Sequence, residues 1–159
     1  MKTSTAINAV RDCLQAAFGA DGWKLQGADS ALSAWNALAT PGRLGTIVAV
    51  WTGETPVEQA ADSLVADLAF SVWILGRRHE QDNAARRQAQ SPVDLAVSEA
   101  HDRAKAALLA LDMSALGAGP QDVCPVYQGC SQLATPDGLP LDGIEQRWTV
   151  RMGAEGGEA

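Results

Sequence analysis

Apolar and polar positions alternate most regularly along Val65-Ala66-Asp67-Leu68-Ala69-Phe70-Ser71-Val72-Trp73-Ile74-Leu75-Gly76. Leu68, Phe70, Val72 and Ile74 share one side of an extended chain; Ala69, Ser71, Trp73 and Leu75 share the other. A period of two, rich in β-branched and aromatic residues and stopped by a glycine, predicts a strand. Both sides are largely apolar, so the strand is central, with something packed on each side or one face given to a partner subunit.

The pattern on either side fills in the rest. Ile7, Val10, Leu14, Ala17 and Phe18 recur at helical spacing, so residues 4 to 18 predict an amphipathic helix, capped by Thr3 or Ser4 and ended at Gly19. Residues 22 to 26 suit a short strand carrying Trp23 onto the core. Asp29 or Ser30 then caps a short helix with Leu32, Trp35 and Leu38 on one face, an extended reading being the alternative, before Pro41. Leu44 to Trp51 predicts a β-branched strand that Gly53-Glu54-Thr55-Pro56 breaks. Residues 57 to 64 fit either one helical turn or an extended lead into the central strand.

Ser91-Pro92-Val93-Asp94 is the clearest local signal: Ser caps, Pro takes the first helical position, and Asp suits the positive helix end. The helix it opens runs over about 92–111. Val93, Val97, Ala100, Ala104, Ala107, Leu108 and Leu111 form a face slim enough to lie close on a sheet, with Glu99, Asp102, Arg103 and Lys105 opposite. Val123 to Cys130 predicts a short strand, and Thr135-Pro136-Asp137-Gly138 a β-turn. In the closing strand Ile144, Trp148, Val150 and Met152 oppose Glu145, Arg147, Thr149 and Arg151, with Gln146 the one polar residue on the apolar side. The fold class is therefore α+β: one domain over residues 1–153, a mainly antiparallel or mixed sheet flanked by an N-terminal helix and one long helix. Residues 154–159 are expected to be a frayed acidic tail.

Composition narrows the function classes. The formal charge of −7 and pI near 4.7 argue against general nucleic-acid or anionic-membrane binding, which needs a cationic surface. No apolar run reaches transmembrane length, and Asn8, Arg11 and Asp12 interrupt the core that a signal peptide needs, so a cytoplasmic protein is expected. An odd count of 3 cysteines fits a reducing compartment. One segment departs from the acidic average. Between residues 77 and 90, Arg77, Arg78, Arg86 and Arg87 outnumber Glu80 and Asp82, which makes about +2 there and −9 elsewhere in a chain of net charge −7. It has no apolar period and reads as a mobile basic loop, or as an arm that orders on an acidic partner such as a neighbouring copy of this chain.

Candidate chemistry is sparse. His79-Glu80 begins like a zinc-protease helix, but Asn83 stands where the second ligand belongs. His101 falls among the polar residues of its helix and reads as a surface histidine. Cys124 and Cys130 are one loose pair where a zinc ribbon needs two tight ones, and read as structural. Asp62 with Asp67, and Asp137 with Asp142, read as solvated turn carboxylates. No phosphate-cradling glycine loop or nucleophile elbow is present. No catalytic, cofactor-binding or metal-ligating residue is assigned. Trp35, Trp51, Trp73 and Trp148 fill a core otherwise built from small residues, or anchor a subunit interface. Trp73 is the interface candidate because it shares its face with Ala69 and Ser71.

The order of elements, carried by the opening helix Ala6 to Phe18, the strand Leu68 to Leu75, the helix Pro92 to Leu111 and the closing strand Ile144 to Met152, resembles that of the tail terminator (tail completion) proteins of long-tailed bacteriophages and prophages. The resemblance is one of layout over nearly the whole chain. It implies a non-enzymatic virion protein, assembled in the host cytoplasm. Copies of such a subunit form a ring, a hexamer in that family, that caps the tail tube protein and presents a surface to the head–tail connector. It implies no cofactor, no membrane and no sequence-specific nucleic-acid contact. Trp73, Arg77, Arg78, Arg86 and Arg87 are then the candidate assembly residues. A head–tail connector or tube-related subunit is the neighbouring reading. A small dimeric ligand-binding or regulatory α+β module is the reading from a different class, and an enzyme with an unrecognised site a third.

Overall fold

The computed structural model describes residues 3–19, 22–25, 44–61, 63–77, 95–113, 124–133 and 141–155. Two helices and five strands make up these residues: α1 (Thr3–Phe18), β1 (Trp23–Leu25), β2 (Gly45–Ala60), β3 (Ser63–Arg77), α2 (Leu95–Leu109), β4 (Val126–Gln132) and β5 (Leu141–Glu155). The strands form one mixed sheet in the order β1-β2-β3-β5-β4, with β1 parallel to β2 and every other pairing antiparallel. The class is α+β, as the periodicity predicts. The alternating stretch is indeed the central strand: β3 pairs along its length with β2 on one side and β5 on the other.

Both helices lie on the same side of the sheet, α1 over β1 and β2, α2 over β3, β4 and β5. Leu68, Phe70, Val72 and Ile74 of β3 point into that layer and are fully buried, against Ala6, Ile7, Val10, Leu14 and Phe18 of α1 and Val97, Ala100, Ala104 and Leu108 of α2. The small residues of α2 bring its backbone close to the sheet, and the large partners are supplied from below: Trp148 stacks on Phe70 with centroids 6.4 Å apart and takes Tyr127 edge-on at 5.0 Å. The helices are also tied to each other. The Cys13 thiol, kept protonated by burial, donates to the Ala107 carbonyl at 3.4 Å, and Arg103 lies over the Phe18 ring while donating to the Ala17 carbonyl.

One point of closest approach fixes the layer spacing. Gly45 and Gly76 face each other across β2 and β3. A Cβ on Gly45 would lie 2.1 Å from the Leu75 carbonyl oxygen and 2.6 Å from the Trp23 ring; one on Gly76 would lie 2.6 Å from Val97. Trp23 and Val97 occupy the space these glycines vacate.

Three boundaries differ from the sequence-based expectation. Gly53-Glu54-Thr55-Pro56 does not break β2. The strand runs on to Ala60 and pairs with β3 to its tip, with bulges between Trp51 and Gly53 and between Pro56 and Glu58 that absorb the irregular residues. Residues 57 to 60 are accordingly extended and not a helical turn. β5 reaches Glu155, so Ala154 and Glu155, expected in the tail, pair with Leu64 and Ser63. The fourth strand begins at Val126, three residues later than predicted. The predicted helix near Trp35, the Ser91–Asp94 cap and the Thr135–Gly138 turn lie outside the described residues.

Candidate assembly interface

Both described helices lie on one side of the sheet, and on the other side part of β3, β5 and β4 is exposed. Strand alternation puts Asp67, Ala69, Ser71 and Trp73 there, opposite Arg151, Thr149, Arg147 and Glu145 of β5. The side chains form a ladder across three strands. Trp73 donates its indole N–H to Glu145 at 2.9 Å. Arg147 stands 3.7 Å from the other oxygen of Glu145 and donates to the Ser131 hydroxyl at 2.9 Å. Gln128 donates to the Thr149 hydroxyl at 3.0 Å. Arg151 clamps Asp67 through two bonds of 3.0 and 3.2 Å. Toward β2 the same face becomes apolar, with Val48 beside Trp73 and Val50 beside Ser71.

The face is graded in exposure. At the Thr46–Leu75 end, Thr46, Val48, Ser71 and Leu75 are buried. From Trp73 outward Ala69, Asp67 and Val65 are half-buried, and the Arg147 side chain is 45% exposed. Trp73 shares its face with Ala69 and Ser71, on the side away from the two described helices, with its indole N–H bonded and its side chain half-buried. Arg77 is the last residue of β3, opposite Leu141. Arg78, Arg86 and Arg87 lie outside the described residues. Trp51, on the helix side near the end of that layer, is 49% exposed, while Trp23 and Trp148 belong to the core.

A second polar group sits inside the helix–sheet layer and was not anticipated. Gln146, the one polar residue on the apolar side of β5, is fully buried. Its amide nitrogen donates to the His101 carbonyl and to the His101 Nδ1, each at 2.9 Å, and its oxygen accepts the Trp148 indole N–H at 3.0 Å. Turning the amide over would set oxygen against carbonyl and N–H against N–H, so the orientation is forced. His101 is thus a half-buried partner of Gln146, and not the surface histidine expected.

The chemistry of this group follows from that geometry. Because Nδ1 accepts, the neutral ring carries its proton on Nε2, which faces the Cys130 sulfur at 3.9 Å. It offers that sulfur an N–H and no lone pair, so it is not placed to act as a base for the thiol. Burial, with the Lys105 ammonium secondary and Asp102 opposing, holds the His101 pKa below its ordinary 6.5. Burial and a hydrogen bond with Cys130 push the Tyr127 hydroxyl up to about 12. These shifts keep the cluster neutral, which suits a structural network under α2. Among the described residues no three His, Cys, Asp or Glu side chains converge as a metal site would require, and the three cysteines are free. No helix among them is long and apolar enough to cross a membrane.

No family model matches the chain, and no curated protein matches it. Among solved structures it is similar to a chain from the virion of a native gene transfer agent particle, with a TM-score of 0.44 and 14% identity, over 96% of this chain and 100% of that one; the likeness is distant.

Proposed function

We propose that this chain is a non-enzymatic virion assembly protein of the phage type, a tail terminator whose copies close into a ring. The ring caps the tail tube and offers its far side to the head connector. The observation that carries this reading is the sheet face away from the helices, where a half-covered Trp73 is held by Glu145 inside a ladder of satisfied charges. An aromatic ring with its polar atom already bonded loses little on being covered and contributes its apolar area, the character of an anchoring interface residue. Layout supports the role within the virion: opening helix, central strand, long helix and closing strand stand in the tail terminator order.

The experiment is native mass across a concentration series. The expected result is a closed ring of six copies, formed as concentration rises or when tail tubes are added. A tight dimer, or a monomer at every concentration and with tubes, contradicts the proposal.

A further inference from the structure

Toward its tip β2 continues as the outer strand of an arm that it forms with β3 and β5. Every residue from Glu54 to Ala60 is exposed, and at about 3.3 Å per residue this stretch spans roughly 20 Å. β1 pairs only with Gly45, Thr46 and Ile47, so among the described residues the outer edge of β2 from Val48 onward has no neighbouring strand. That edge carries Trp51 at 49% exposure and Val57 at 48%.

Two features decide what covers it. Pro56 and the two bulges interrupt any continuous strand added to the edge, the devices by which sheets resist edge-to-edge pairing. Residues 51–62 also hold Glu54, Glu58 and Asp62 with no Lys or Arg, so two copies of the arm laid together in two-fold fashion would repel. The occupant must be cationic and irregular in backbone. The same sequence contains a cationic segment: residues 77 to 90, with four arginines against Glu80 and Asp82 and no apolar period.

We propose that the acidic β2 arm of one copy is the docking surface for the arginine-rich segment 77–90 of the next copy. Arginines reach Glu54 on the helix side and Glu58 on the other side of the strand, and their stems cover Trp51 and Val57. The contact joins two different surfaces of the chain. It is head-to-tail, the kind that closes into a ring when the rotation per copy is right. This inference rests on the ring reading above and names a contact that closes the ring.

The test is charge exchange, read as the concentration at half-assembly by native mass. The variants are E54R with E58R, R86E with R87E, and all four together, each checked for an unchanged melting temperature. Each reversed pair alone is expected to raise the half-assembly concentration at least about tenfold, because like charges then face each other. The fourfold variant restores it to near the unmodified value. If the unmodified chain assembles and the reversed pairs assemble equally well, or the fourfold variant is no better than either pair, this contact is wrong while the ring stands. If the unmodified chain never assembles, both fall.

Discussion

Gly45→Ala is expected to be among the most damaging single-atom additions to this chain, at about 3 kcal/mol, the upper part of the usual overpacking range. The new Cβ would meet the Leu75 carbonyl oxygen at 2.1 Å, and that oxygen belongs to β3, which is held on both sides by strand pairing. The Trp23 ring at 2.6 Å would have to move as well, and it packs against Phe18. Neither neighbour is the free end of a flexible side chain, so the strand pair must separate. For a domain of this size the loss corresponds to a drop of roughly 10 °C in melting temperature. Leu109→Ala is the control: Leu109 is 57% exposed, and its loss should leave the melting curve nearly unchanged.

Gln146→Leu is expected to cost a comparable amount, about 3 kcal/mol, for the opposite reason. Leucine fits the volume, yet it strands the buried Trp148 N–H without an acceptor and removes the donor to the His101 carbonyl and Nδ1. Unmade bonds of this kind cost more than the bonds contribute when made, so replacing a stranded partner should recover part of the loss. Gln146→Leu combined with Trp148→Phe is therefore expected to unfold at higher urea than the sum of the two single changes predicts. The same network carries a pH signature. The unfolded chain protonates His101 near 6.5, whereas the folded chain does so only at lower pH. The unfolded state thus binds the proton first, so this contribution to stability is complete above about pH 6.5 and declines as pH falls below it. His101→Gln should flatten that part of the acid slope in urea midpoints measured from pH 7.5 down to about 5.

The core of the fold was readable because its signals were redundant. Leu68, Phe70, Val72 and Ile74 alternate, and the structure buries those four side chains. The face of α2 was readable from Val97, Ala100, Ala104 and Leu108. His101 was misread although the pattern contained it: it lies four residues after Val97 and three before Ala104, on the edge of the apolar stripe, and its charged neighbours Asp102 and Arg103 obscured that. A lone polar Gln146 on the apolar side of β5 called for a partner from the helix above, and His101 is that partner. The arm was missed for a different reason. Glycine and proline are breakers by local propensity, whereas fourteen residues of β2 paired with β3 outweigh two bulges. Pairing between distant strands is tertiary information, and nothing in residues 53 to 60 alone announces it. The glycines around Ala154 and Glu155 lower strand propensity and point to a tail, and pairing with Leu64 and Ser63 again overrides this.

Of the candidate assembly residues, Trp73 is the one whose surroundings can be weighed, and they separate folding from assembly. Its side chain is half-buried, its indole is bonded to Glu145, and the Arg147 side chain beside it is nearly half exposed. This face is proposed to join copies. The most direct test is native mass of the unmodified chain, Trp73→Ser and Arg147→Glu at matched concentrations, alongside their melting curves. Both variants are expected to stay folded and monomeric where the unmodified chain forms rings. Rings formed equally well by both variants would contradict it.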